Sequence, residues 1–128
     1  MKVFKKIKPF FVDERGEMSV LLDDGKTDIK SVLLISSKKG SVRANHYHKE
    51  DSHYCYMLSG KMEYFEKPIG ADDSKMEKEI LETGDMIYSP SMVIHAMRFL
   101  EDTEWVVLAT KSRKDGNYEE DTVRTKLI

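Results

Sequence analysis

The apolar residues of this chain come in short runs, each closed by a turn signal, about ten residues apart. That spacing leaves room for strands and almost none for helices. Met18 to Leu22 is stopped by Asp23-Asp24-Gly25. Ile29 to Ser36 holds the unbroken run Val32-Leu33-Leu34-Ile35, the composition of a strand buried on both faces. Ser52 to Leu58 ends at Ser59-Gly60, and Met62 to Glu66 follows at once, so Ser59-Gly60 reads as a hairpin turn. Lys67 to Lys78 is polar, carries Pro68, Gly70 and Asp72-Asp73, and reads as an exposed loop. Glu79 to Leu81, Met86 to Ser89, Ile94 to Leu100 and Trp105 to Thr110 complete the strands. No stretch keeps a helical period beyond two turns. The pattern predicts an all-β sandwich or barrel.

With 128 residues the chain is expected to form a single domain, 1–128, with enough buried surface to need no staples. The polar tail 111–128 is expected to be an edge strand or an arm. Its apolar end, Val123 to Ile128, suits packing on something, a second subunit included. A net charge of −2 gives no electrostatic footprint for nucleic acid. The lone Cys55 cannot form an internal disulfide, which fits a reducing cytoplasm. Met1 to Val12 lacks the apolar core of a signal peptide, and no run approaches the roughly 20 apolar residues of a membrane span. The expected location is the cytoplasm.

All 4 histidines fall inside two windows. His46, His48 and His53 lie between Gly40 and Gly60, and His95 closes the segment that starts at Gly84. Imidazole is the commonest side-chain metal ligand, so four confined this way read as one site. Side chains alternate across a strand. His46 and His48 therefore share a face, His53 shares one with Cys55 and Met57, and His95 with Met97 and Phe99. Tyr47, Tyr54 and Tyr56 point the other way, as does Arg98. Inward faces of a barrel converge, which lets the windows meet in a largely apolar pocket. Glu50 shares parity with His46 and His48 and could add a carboxylate; a turn at Lys49-Glu50-Asp51 is the competing reading. Cys55, Tyr64, Tyr88 and Trp105 read as packing residues.

The order and spacing of Gly40, His46, His48, His53 and Gly60, then Gly84, Pro90 and His95, resemble the two motifs of the cupin superfamily. The resemblance covers about 40–60 and 84–99 and implies a double-stranded β-helix, the jelly-roll barrel, with a metal held by His46, His48, His53 and His95. Three positions depart from it: His53 stands at the family's glutamate, Met92 at a turn glycine and Phe99 at an asparagine. His53 matters most, because an all-imidazole site leaves the ion's charge uncompensated and favours an anionic ligand. Nitrogen ligation suits zinc, iron, nickel or copper better than magnesium or calcium.

A narrower resemblance starts at Asp13-Glu14-Arg15-Gly16 and continues through Gly40-Ser41-Val42-Arg43-Ala44-Asn45-His46-Tyr47. These segments look like those of the dTDP-4-dehydrorhamnose 3,5-epimerase group and of related dTDP-sugar ketoisomerases. In that group the histidine matching His46 is the base, and the arginine matching Arg43 helps hold the nucleotide sugar. The family's catalytic tyrosine has no clear match, with Tyr118 a remote candidate. His48 stands at a glutamine of metal-free enzymes. The likeness extends to small metal-binding cupins of surface-polysaccharide pathways. It implies an isomerase or epimerase acting on a carbonyl sugar or anionic nucleotide sugar, and a homodimer. A metal-dependent dioxygenase and a non-catalytic sugar- or metal-binding module are the competing readings.

Overall fold

A computed structural model describes residues 1–128. Its strands are β1 (Lys2–Phe4), β2 (Phe11–Asp13), β3 (Gly16–Met18), β4 (Ser31–Ser37), β5 (Val42–His48), β6 (His53–Ser59), β7 (Lys61–Pro68), β8 (Glu77–Glu82), β9 (Met86–Ser89), β10 (Val93–Phe99) and β11 (Thr103–Ala109). A five-residue helix, α1 (Asn117–Asp121), leads into a last strand, β12 (Thr122–Arg124). Two five-stranded antiparallel sheets carry the architecture, in the orders β1-β9-β6-β11-β4 and β12-β5-β10-β7-β8. This is the all-β architecture that the turn spacing predicts, in the jelly-roll form that the cupin resemblance implies. No helix is long and apolar enough to cross a membrane.

Alternation along the strands builds the interior. On β6, Cys55 and Met57 are fully buried, as are Met62 and Tyr64 on β7. Met97 and Phe99 of β10 and Trp105 and Val107 of β11 join them in one cluster. The apolar cluster fills one end of the barrel, and the histidines occupy the same inward face a few residues along β6 and β10.

Three expectations change. β4 is an edge strand, so Val32 and Leu34 are 64% and 70% exposed rather than buried on both faces. The run of four apolar residues signals burial, but only one face of an edge strand meets the core. Met18 to Leu22 is not a strand; only Gly16–Met18 pairs, in a small hairpin with β2. Ser59-Gly60 is not a hairpin turn either. β6 pairs with β9 and β11, whereas β7 pairs with β8 and β10, so the chain passes from one sheet to the other at Gly60.

That corner requires glycine. Gly60 has φ +92°, and a Cβ there would lie 2.4 Å from Thr103 Oγ1 and 2.5 Å from the Asp102 carbonyl oxygen. Gly60→Ala is therefore expected to destabilise the protein by about 3 kcal/mol, combining left-handed backbone strain with overpacking. Thermal melting checks this: a Tm within a degree or two of the parent would contradict it.

The tail supplies an edge strand. β12 pairs with β5, placing Val123 opposite Tyr47 and Arg124 opposite His46. Asn45 Oδ1 accepts from the backbone of Leu127 at 2.7 Å and Ile128 at 3.0 Å. The end of the tail is thus tied to its own β5 through Asn45.

Candidate functional site

A bulge in β5 aims the first window. His46 lies directly opposite His95, but Ala96 lies opposite Ala44, so Asn45 is the extra residue. Ala44 and Asn45 both take left-handed conformations, φ 69° and 55°. Asparagine tolerates this better than most residues because its side chain bonds locally, and here it secures the tail. The bulge also changes parity. Arg43 is three positions before His46, yet both line the same cavity. The second window is delivered by a tight turn in which Met92, at φ 61°, stands where the motif has glycine. Its backbone N–H donates to the His48 carbonyl at 2.7 Å, tying the two windows together.

The four imidazoles converge. Ring centroids are 4.6 Å apart for His46 and His48, 4.7 Å for His46 and His95, and 5.4 Å for His53 and His95. His48 lies 5.5 Å from His53 and 5.6 Å from His95. All four are at most 5% exposed. Donor atoms fall within 4.8 Å of one another in two sets that share His48, namely His46–His48–His95 and His48–Asp51–His53.

Outer contacts assign the ring protons. His53 Nδ1 faces Asp51 Oδ2 at 3.4 Å, and His95 Nδ1 faces the Val93 carbonyl at 3.4 Å. His48 Nδ1 faces Thr122 Oγ1 at 3.3 Å, while Thr122 gives its own proton to the Tyr118 carbonyl. Oxygen acceptors at Nδ1 leave the Nε2 lone pairs of these three rings free, the arrangement that orients metal-binding histidines. His48 Nε2 is buried and has no hydrogen-bond partner at all. His46 differs, because Arg124, which can only donate, faces its Nδ1 at 3.4 Å.

The site keeps His46, His48 and His95 neutral. Burial, then the neighbouring His48 and Arg124, pushes the His46 pKa down to about 3. Burial and then His53 lower His48 to about 4. His95 is held well below its usual value, first by burial and then by the other three histidines. Burial alone would raise Asp51, but its hydrogen bond to His53 and the nearby imidazoles hold it below the ordinary carboxylate value. Neutral imidazole is the form that ligates a metal or accepts a proton.

The histidines open into a cavity of about 420 Å³ whose wall also carries Arg43, Arg113, Arg124, Tyr118 and Trp105. No carboxylate lines it. Arg43 lies on the wall, with Nε donating to Ser37 Oγ at 2.7 Å and a terminal nitrogen to the Ser36 carbonyl at 3.0 Å. Glu50 does not join the histidines: it is exposed and pairs with Lys111 at 2.8 Å. The turn at Lys49 to Asp51 rotates it outward, and Asp51 becomes the carboxylate behind His53. The only sequence signal for Asp51 was its place two residues before His53. Tyr118 comes within 6.2 Å of His46 and 5.7 Å of His48, ring to ring. Sequence reasoning missed Arg113 and Arg124, which reach the cavity only because α1 and β12 fold back over β5.

The packing residues keep their expected roles. Cys55 is fully buried, and burial pushes its thiol up to about 12, so it is inert. Tyr64 stacks on His95 at 6.3 Å and bonds Ser89 Oγ at 3.0 Å. Arg98 points outside to Glu63 at 3.4 Å.

Residues 33–111 match the cupin domain family. Among solved structures, the chain is similar to a 3,4-ketoisomerase from Helicobacter canadensis at 21% identity and TM-score 0.76, covering 96% of this chain and 89% of that one. It is similar to a double mutant of the 3,4-ketoisomerase QdtA from Thermoanaerobacterium thermosaccharolyticum in complex with TDP, at 26% identity and TM-score 0.69, covering 96% and 87%. A dTDP-4-dehydrorhamnose 3,5-epimerase from Sulfolobus tokodaii aligns at 19% identity and TM-score 0.70, covering 88% and 70%. The search of curated proteins gives no match.

Proposed function

The chain belongs to the cupin family, and from that premise we propose that it is an isomerase or epimerase acting on a carbonyl sugar carried on a nucleoside diphosphate. One observation carries this reading: the cavity is lined by four imidazoles and three arginines, with no carboxylate on its wall. Such a wall favours an anionic substrate, and its neutral rings suit ligation or proton transfer at neutral pH. The likeness to sugar ketoisomerases and epimerases supports the same substrate class.

The residues fit a divalent transition metal. His48 Nε2 is an orphaned buried atom facing the other rings, and the donor set is imidazole with one outer carboxylate. His48, His53 and His95, whose Nε2 lone pairs are free, would hold zinc, iron, nickel or copper; His46 would join as a fourth donor only by giving up its contact with Arg124. Such an ion, when bound, polarises a carbonyl oxygen. The chain's own residues do the rest. Tyr118 stands beside His46 and His48 without being one of the donors, so its hydroxyl is the group available to move a proton. Arg43, also on the cavity wall, adds positive charge toward an anionic substrate. The proton on the carbon beside the ketone passes to a neutral imidazole of the cluster while the Tyr118 hydroxyl gives its proton to the carbonyl oxygen, producing an enol. Return of the proton to the former carbonyl carbon moves the ketone, and its return to the opposite face inverts the centre. Neither outcome needs an oxidant or a reductant.

The test is deuterium wash-in. TDP-4-keto-6-deoxyglucose, seen bound in a QdtA structure, is incubated with the protein in deuterated water and followed by NMR. The expected result is exchange beside the ketone, at one adjacent carbon for a ketoisomerase and at both for a 3,5-epimerase. No exchange across a panel of nucleotide sugars would overturn the reading. Oxygen uptake by the iron- or copper-loaded protein would point to a dioxygenase, and inert full occupancy by zinc to a binding module. Elemental analysis of the purified protein checks the metal independently.

A further inference from the structure

Arg113 is a charge on the cavity wall without an ion-pair partner. It lies just after the last core strand, on the segment that returns over the barrel mouth. No carboxylate lies within ion-pair distance of it, whereas Arg124 pairs with Glu119 at 3.9 Å and Arg98 with Glu63 at 3.4 Å. Its Nε is buried and has no hydrogen-bond partner. Its guanidinium carbon sits 4.3 Å from the centre of the Tyr118 ring, a cation–π contact. The side chain also lines the histidine cavity together with Arg43 and Arg124.

An arrangement of this kind is costly without a ligand. A buried guanidinium N–H with no acceptor loses its hydration, and the charge opposes protonation of His46 and His48 nearby. The planar fork, placed against an aromatic ring, matches the oxygens of a phosphate. Tyr118 fixes its position through α1, and α1 is itself anchored: the Asp121 carboxylate accepts from the backbone of Glu50 at 2.8 Å and Asp51 at 3.0 Å. The turn into α1 uses left-handed residues, Asp115 at φ 55° and Gly116 at φ 77°, to bring Arg113 and Tyr118 together.

We propose that Arg113, mounted on Tyr118 by the C-terminal arm, is the phosphate-binding residue that holds the diphosphate of a nucleotide sugar at the cavity mouth. This inference rests on the nucleotide-sugar reading above and assigns the arm a direct part in substrate binding. The arm is then more than the cover of an open sheet edge. Arg43 and Arg124 share the same wall and add to the field, but each already has a partner.

Calorimetric titration with TDP and, separately, with inorganic pyrophosphate tests the assignment, using the full chain and its Arg113→Gln and Arg113→Lys variants. Arg113→Gln is expected to weaken TDP and pyrophosphate binding by roughly 10- to 100-fold. It should raise KM for the sugar nucleotide while kcat at saturation stays within about threefold. Arg113→Lys should recover part of the affinity, and the salt dependence of binding should be shallower in the glutamine variant. Unchanged TDP affinity in Arg113→Gln overturns the proposal, as does a loss of kcat without a change in KM. The two readings fail differently. Wild-type protein that binds pyrophosphate through Arg113 but neither binds nor exchanges any sugar nucleotide overturns the function and leaves the phosphate site. Wild-type protein that binds neither probe overturns the phosphate site itself.

Discussion

His48→Gln is expected to lower the rate of proton exchange at least a hundredfold and to remove most of any bound metal, with little change in Tm. His48 is the one ring common to both sets of converging donors. It is 2% exposed, and its Nε2 finds no partner in the protein. The fold therefore gains little from that nitrogen and loses something by burying it, about 1–3 kcal/mol for an unsatisfied polar atom. Glutamine keeps a polar group near Thr122, so the outer hydrogen bond can be replaced. A ring kept for packing would behave the other way, with a lower Tm and unchanged exchange. Metal content, exchange rate and Tm measured on one preparation separate the two. A variant that exchanges at the parent rate would show that the histidine cluster is not the reactive centre. The magnitude follows from what removing a general acid, base or ligand costs in comparable sites, roughly a hundredfold to ten-thousandfold.

Much of this site was readable in the sequence because strand parity is a strict rule. His46 and His48, His53 with Cys55 and Met57, and His95 with Met97 and Phe99 each face inward as their spacing requires. Parity failed at Arg43, where the Asn45 bulge shifts the alternation and puts a residue of the opposite phase on the cavity wall. Nothing in the letters Ala44-Asn45 demands a bulge, although asparagine permits one. Glu50 failed for a related reason: parity holds only while the strand continues, and β5 ends at His48. The edge position of β4 was hidden because a run of Val, Leu and Ile reads alike at the centre and at the rim of a sheet. Gly60 was legible as a turn but not as a crossing between sheets, since that depends on the partners of β6 and β7. Arg113, Tyr118 and Arg124 reach the histidines through a fold-back of the tail, and local sequence carries no measure of where a polar arm will dock.

Acid should unfold this protein through the histidine cluster, and the sign follows from the directions of the shifts. In the fold, His46 and His48 titrate at about 3 and 4 and His95 well below its usual value, mainly through burial. In the unfolded chain each returns to about 6.5. Above that pH neither state holds a proton on these rings, and their contribution is intact. As pH falls below about 6.5 the unfolded chain takes up protons that the native cluster refuses, and stability drops by about 1.4 kcal/mol per pH unit for each such ring. With three rings acting together, the loss between pH 6 and pH 4.5 reaches several kcal/mol, a large part of the roughly 5–15 kcal/mol that holds an ordinary domain together. The decline continues until the native rings themselves protonate, near pH 4 for His48 and pH 3 for His46. Melting curves at half-unit steps from pH 7.5 to 4, on protein stripped with a chelator, test this. Stripping matters because a bound metal also leaves in acid and would add its own proton dependence. The same series on His46→Gln/His48→Gln should be shallower, since two of the refusing rings are gone. A parent Tm that stays level from pH 7 to pH 5 would mean that the rings accept protons in the native state. The neutral, uncompensated cavity on which the functional reading stands would then not exist.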